Sequence, residues 1–219
     1  MFPFEKDIPL RERKQARTKV SLAKEFVAGV EETGYDKISI KEVCERAEVS
    51  EGTFYNYFPQ KKDIMNYIAS LYCVKSVFDT DQKVSRESPL EYIEAFLINM
   101  VRAMENFSKF SHEFIDVMLR ERFKPEKTLV PELELFYAFP EYAGKKGFRS
   151  ENFETLLDDL ISTASEKGLV RKEVSLDDVR LFIDVVLFGT IIMAGIEGRK
   201  DQISMIENQL AILWRGIRK

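Results

Sequence analysis

This sequence predicts an all-α chain, a short three-helix N-terminal part followed by a longer helical bundle. Three observations predict it. Only 10 Gly and 7 Pro interrupt 219 residues, so helix breakers are sparse among helix formers. Apolar residues recur at steps of three and four along most of the chain, and no stretch alternates as a strand does. Serines that can cap helices (Ser39, Ser50, Ser88, Ser150 and Ser175) stand just ahead of these periodic stretches.

The first helix runs from about Leu10 to Gly34, with Val20, Ala23, Phe26, Val27 and Val30 on one face and Gly34 as its stop. Its start is basic. Arg11, Arg13, Lys14, Arg17, Lys19 and Lys24 stand against Glu12, six cations to one anion, for a local charge of +5. Ser39 opens the second helix. Glu42 three residues on completes a capping box, and Ile40, Val43, Cys44 and Ala47 form its apolar stripe. After a break at Ala47-Glu48-Val49, Ser50 caps a third helix, Glu51 to Phe58, with Phe54 and Phe58 four apart; Pro59 ends it.

The longer array begins with a helix from Lys61 to about Asp79. Ser88-Pro89 starts Leu90 to Phe107, and another helix spans about Lys109 to Phe123. Pro125, Pro131, Pro140, Gly144 and Gly147 mark an irregular connection, with a short helix expected at Glu132 to Phe139. Ser150 opens Glu151 to Lys167, Gly168 stops it, Ser175 caps a helix to Glu197, and Asp201 begins the last. The expected division is a head over residues 1–60 and a bundle over residues 61–219.

Composition narrows the function. Hydrophobic residues make up 45% and charged residues 32%, which suits an ordered, soluble globule. Lys plus Arg is 33 and Asp plus Glu is 37, a net charge of -4, so an overall basic coat is excluded while a local basic patch is not. Two cysteines, Cys44 and Cys73, and one histidine, His112, cannot build a disulfide framework, a four-ligand zinc site or a His-rich metal site. No metal and no cofactor is expected. His112 lies beside Glu113, but no second histidine or nucleophile motif accompanies them, so an enzyme is not expected. Asp158-Asp159 and Asp177-Asp178 are helix neighbours that point apart and make no dicarboxylate site. The N-terminus, MFPFEKDIPLRERKQ, lacks a signal-peptide core. The stretch Val179 to Ile196 has about the length of a membrane span but contains Arg180 and Asp184, so a buried helix, no membrane partner and a cytoplasmic location are expected.

Two short helices with a tight break, Ser39 to Phe58, have the dimensions of a helix-turn-helix. The first braces the second, and the second presents short polar groups to base edges. Glu51, Thr53, Tyr55, Asn56 and Tyr57 are on offer. Gly52 lets backbone approach a duplex, and the Ser39 and Ser50 hydroxyls and nearby amides can meet phosphates.

These residues resemble the TetR family of transcription regulators. The likeness rests on Glu32-Thr33-Gly34-Tyr35, Ile38-Ser39-Ile40-Lys41-Glu42-Val43, Ala47-Glu48-Val49-Ser50-Glu51-Gly52-Thr53-Phe54-Tyr55-Asn56-Tyr57-Phe58, and Lys61. It covers roughly residues 13–68. The resemblance implies that Lys41 contacts a base or phosphate and that Thr53 and Asn56 face bases. Tyr55 and Tyr57 would lie on the flanking backbone, Lys61 would hold a phosphate, and the Arg11 to Lys19 segment, with Arg13 and Arg17, would lie along the duplex. Two departures stand out. Glu48 occupies a turn position where the family commonly has glycine, and a left-handed conformation there costs about 1 kcal/mol. The third helix has no Lys or Arg, and Glu51 is acidic. Glu51 either accepts from a cytosine amino group or points away.

Leu181 to Ile196 is apolar almost all round, and the last helix also exceeds one stripe. The simplest solution is a two-fold homodimer through Phe182, Val186, Gly189, Met193, Ile196, Met205, Gln209, Ile212 and Leu213. It would carry two reading heads onto a palindromic double-stranded DNA operator. The middle helices suit a cavity for an apolar or cationic small-molecule effector, with Phe96, Met100, Phe114 and Met118 as lining and Asp116 and Asp184 among them. The expected function is a ligand-responsive regulator, a repressor released by its effector through the Lys61 to Asp79 helix. Two rivals are a helical adaptor that has lost its DNA target and a helical enzyme with Asp116 or Asp184 as its acid.

Overall fold

A computed structural model describes residues 8–105, 107–122, 129–142, 145, 147, 148 and 150–219. Among the described residues there are ten α-helices in chain order. They are α1 (Leu10–Thr33), α2 (Ile40–Arg46), α3 (Glu51–Tyr57), α4 (Lys61–Asp81), α5 (Pro89–Glu105), α6 (Ser108–Glu121), α7 (Glu132–Ala138), α8 (Phe153–Glu166), α9 (Leu176–Glu197) and α10 (Gln202–Ile217). A 3-10 turn covers Pro140–Tyr142. The all-α expectation stands. The expected end of α6 at Phe123, with Pro125 and Gly144, lies outside the described residues. Among the described residues, extended pairing is confined to one isolated antiparallel bridge, Val170 with Arg218.

The chain forms two compact units. One contains Met1–Lys75 and Phe107–Glu151; the other contains Ser76–Asn106 and Asn152–Lys219. The division falls inside α4, so contact and the functional division expected at residue 60 follow different lines.

In the first unit α1 is the spine. Leu22, Phe26 and Val30 pack with Val43 and Cys44 of α2, Phe54 of α3, Ile64 and Ile68 of α4, and Phe110 and Phe114 of α6. Gly34 ends α1 at φ 89 and ψ 161, a region open essentially to glycine alone. A side chain there would also meet Glu113 Oε1 at 2.8 Å. One carboxylate explains how α6 docks on α1. Phe107, at the N-cap of α6, supplies no side-chain cap. Glu31 supplies one instead, its Oε1 accepting the Phe110 amide at 2.7 Å.

The second unit packs α5, α8, α9 and α10 around Tyr92, Phe96, Leu97, Leu157, Ile161, Ile183, Leu187, Ile206 and Trp214. Three of its polar side chains are partnered inside the unit, while Arg180 Nη1 and Asp184 Oδ1 are buried without a hydrogen bond among the described residues. Asn99 Nδ2 donates to Thr80 Oγ1 at 2.9 Å, Tyr92 OH to Asp81 Oδ1 at 2.8 Å, and Trp214 Nε1 to Glu94 Oε2 at 3.2 Å. The cap of α8 differs from expectation. Asn152, not Ser150, accepts the Thr155 amide at 3.1 Å, because the Ser150 hydroxyl is taken by the Val130 amide at 2.7 Å. Ser175 stands at the N-cap of α9 but makes no side-chain cap bond.

Both cysteines are free and buried. Burial raises the Cys73 thiol to about 12, with Glu151 adding to the shift, and burial followed by Glu51 raises Cys44. Both act as small apolar core residues.

The turn between α2 and α3 is a Schellman closure. The Glu48 amide donates to the Glu45 carbonyl at 3.2 Å and the Val49 amide to the Cys44 carbonyl at 2.9 Å. It places Glu48 at φ 56, the left-handed conformation considered above. Glu48→Gly is therefore expected to raise the unfolding free energy by about 1 kcal/mol. Urea denaturation at unchanged slope measures this.

Candidate nucleic-acid interface

Three local features position α2 and α3. Ser39 Oγ accepts the Glu42 amide at 3.3 Å and Ser50 Oγ accepts the Thr53 amide at 3.2 Å, which fixes where each helix begins. The Glu48 turn sets how one follows the other. Phe54 and Phe58 are almost fully buried and pack against each other as tilted rings with centroids 5.6 Å apart, which fixes the rotation of α3 about its own axis.

That rotation decides what the helix shows. Glu51, Gly52, Tyr55 and Asn56 are exposed, while Thr53 and Tyr57 are half-buried. Thr53 Oγ1 lies 3.0 Å from Ser50 Oγ, so its methyl and hydroxyl are held in one orientation. Tyr55 is 48% exposed, a large aromatic turned outward with its ring edge against Phe54. A side chain added at Gly52 would meet nothing closer than Ser50 Oγ at 3.8 Å. The fold therefore does not require glycine there for space. Lys41 is exposed on α2, 3.9 Å from Glu45 in a loose surface pair that constrains it little. Ser39 is half-buried and Ser50 exposed, each already capping its own helix.

The basic segment is only partly available. Lys19 Nζ reaches both carboxylate oxygens of Glu134, at 3.3 and 3.1 Å, and stands 4.3 Å from the Tyr67 ring centroid. Arg17 lies 4.9 Å over the Tyr137 ring, and Lys24 donates to the Tyr137 carbonyl at 3.5 Å. Helix α7 thus holds Lys19 in an ion pair and touches Arg17 and Lys24, which both stay exposed. Arg11 and Lys14 are exposed. Arg13 is half-buried, and its Nε finds no hydrogen-bond partner among the described residues.

Lys61 departs from expectation as well. Its ammonium donates to the Tyr35 carbonyl and lies 4.5 Å from the Tyr35 ring, and burial lowers its pKa. It ties the start of α4 to the segment after α1 and is not a free phosphate ligand.

The residues expected to line an effector pocket separate. Phe96 and Met100 are buried on α5, and half-buried Asp184 on α9 pairs with Arg180 at 3.4 Å. Burial raises the pKa of Asp184 and Arg180 opposes that shift. Phe114, Met118 and Asp116 belong to the other unit. Asp116 is exposed and bound to Arg120 at 2.8 Å, because it points out from α6. None of the six lines the apolar cavity found in the first unit. Among the described residues no cluster of His, Cys, Asp and Glu has the arrangement of a metal site.

On α9 the inner face is Val179, Ile183, Leu187, Ile191 and Ala194. The outer face leaves Phe182 53%, Met193 41% and Ile196 73% exposed, and Ile212 of α10 is 68% exposed. Val186, Gly189 and Leu213 are half-buried beside them. Two expected interface residues belong to the subunit itself. Met205 is buried, and Gln209 Oε1 accepts from Thr190 Oγ1 at 3.2 Å. By length and composition α9 is apolar enough to cross a membrane, with mean hydropathy 2.1 over its most apolar window.

Residues 30–68 match the family model described as bacterial regulatory proteins, tetR family. The full chain has the fold of TetR-family transcriptional regulators. It aligns with a TetR family transcription regulator from Marinobacter aquaeolei at TM-score 0.60 and 13% identity, over 96% of this chain and 100% of that one. SmeT of Stenotrophomonas maltophilia, the repressor of the multidrug efflux pump SmeDEF, aligns at TM-score 0.60 and 15% identity, over 92% and 90%. The Bacillus subtilis regulator FadR, solved with stearoyl-CoA, aligns at TM-score 0.60 and 15% identity, over 90% and 98%. Among curated protein sequences none matches this chain.

The Lys19–Glu134 pair is a structural joint, with side chains 21% and 11% exposed. Lys19→Met strands a nearly buried carboxylate and is expected to lower the unfolding free energy by about 2–3 kcal/mol. Lys14→Met, on the exposed side of α1, should change it by less than about 0.5 kcal/mol. Urea denaturation of both variants separates a structural cation from one left for a partner.

Proposed function

We propose that this chain is a cytoplasmic, homodimeric transcription regulator that reads a near-palindromic DNA operator through α3 and responds to a small molecule. The observation that carries the reading is the outward face of α3. Its two phenylalanines are sunk in the core, which leaves Gly52, Tyr55 and Asn56 exposed at the end of a capped brace. In the major groove Asn56 would pair with an adenine edge and the Thr53 methyl would touch a thymine methyl. Tyr55 and Lys41 would take flanking phosphates, with Arg11, Arg13 and Lys14 extending the contact. The acidic Glu51 lowers attraction to DNA at large and favours sites offering a cytosine amino group. The regulators that share the fold, SmeT among them, make repression the favoured direction of control.

The homodimer rests on α9. Its exposed face, Phe182, Val185, Met193 and Ile196 with Ile212 alongside, is too apolar to leave in water, and a second copy supplies the same face about a two-fold axis. Binding of an effector would shift the population of dimer geometries away from the one whose two heads fit the duplex.

Two measurements test this reading. Fluorescence anisotropy on the DNA upstream of the protein's own gene should give a specific complex with a negative log-log salt slope. Asn56→Ala should weaken it by about 1–3 kcal/mol, and Lys41→Ala should reduce the slope by about one. Equal affinity for upstream and scrambled duplex at every salt concentration would overturn the DNA reading and favour a helical adaptor. Phe182→Glu should convert a dimer to a folded monomer in sedimentation velocity, and a wild-type monomer would overturn the dimer.

A further inference from the structure

A cavity of about 250 Å³ opens among α1, α4 and the segments around α7, all within the unit that holds α2 and α3. Ala28 and Ala138 are small, and Leu71, Tyr72, Phe107 and Phe139 form its apolar walls. Tyr72 packs on Phe107 at 5.3 Å and on Phe139 at 6.3 Å, so much of the lining is a joined aromatic surface. Only two of the lining residues, Lys24 and Glu31, carry charge. Their circumstances differ. Glu31 is committed to the Phe110 amide, and Lys109 Nζ sits on the Glu31 carbonyl at 3.2 Å, adding a cation on that side. Lys24 is exposed, and its bond to the Tyr137 carbonyl is long at 3.5 Å. The cavity therefore offers an apolar interior below an available ammonium, beside a carboxylate already spent.

We infer that this cavity binds a small amphiphile with an apolar tail and an anionic head, the tail among Leu71, Tyr72, Phe107 and Phe139 and the head at Lys24. An open cleft with apolar walls and one charged group at its edge is the kind of concave site that takes an amphiphile. At roughly 30 Å³ for each water-sized group, this one holds about eight of them. Its lining includes none of Phe96, Met100 and Asp184, the α5 and α9 residues expected to bind an effector. Because α1 and α4 are its walls and also clamp α2 and α3, an occupant would fix their spacing. That consequence rests on the DNA reading above, whereas occupancy does not.

Isothermal titration on the full-length protein without DNA tests the site. The probes are sodium octanoate, octan-1-ol and octylammonium chloride. Octanoate should bind saturably at one per chain and more tightly than the other two. Lys24→Gln should weaken octanoate by about fivefold while leaving octanol unchanged. Ala28→Phe lies at an exposed position and should weaken octanoate on the order of tenfold by filling the cavity. Ala138→Leu serves as a second filling variant, and the unfolding midpoint of each unliganded variant shows that it folds. Absence of saturable octanoate binding, equal binding of octylammonium, or wild-type affinity in both filling variants would overturn the proposal. DNA is absent, so failure here leaves the operator reading untouched, and failure of that reading leaves this site standing.

Discussion

The arrangement depends on the burial of Phe54 and Phe58. α3 has seven residues, too few to hold a helix by hydrogen bonding alone. The two rings bind it to α1, α2 and α4 and set its rotation. With Phe54 and Phe58 four residues apart on the inner face, geometry leaves Gly52, Tyr55 and Asn56 no position but outward. The Ser50 cap and the Glu48 turn refine that placement without creating it. Backbone strain at Glu48 is tolerated because the surrounding hydrogen bonds and the buried Val43, Cys44 and Phe54 over-determine the turn.

A second constraint is how few cations remain free. α1 begins with a strong positive bias, yet α7 neutralises Lys19 and lies against Arg17 and Lys24, which stay exposed. Arg11, Lys14 and Lys41 are exposed and Arg13 is half-buried. With no basic residue on α3 itself, the proposed DNA reading requires discrimination to come from base edges more than from phosphate contacts.

Elements whose signal is local were legible in the sequence. The Ser39 and Ser50 caps, the Gly34 and Gly168 stops and the proline at the start of α5 each act within one turn of helix, and the helix order follows from them. The left-handed Glu48 was legible only through the resemblance, which puts glycine at that turn position. What escaped was long-range. Lys19 and Glu134 are 115 residues apart, and nothing near either shows the pairing. The one available hint was acidic residues on a short helix, Glu132 and Glu134, in a chain whose basic residues cluster at α1. Lys61 bonds the Tyr35 carbonyl 26 residues away. Ser150 resembled a cap as much as Asn152 did, and only the fold reveals that the Val130 amide claims its hydroxyl. Met205 carries the same apolar character as Ile212, and packing alone decides that one is core and the other surface.

The central claim is that the outward face of α3 reads a duplex twice, once from each copy of a two-fold pair. Selection of bound sequences from a random duplex library, followed by sequencing, tests it most directly. The account predicts an inverted repeat whose half-sites are centred about 10 base pairs apart or a multiple of that, with adenine or thymine preferred at fixed positions in each half. Retention of duplexes with no shared motif, or enrichment of a single asymmetric half-site, would contradict it.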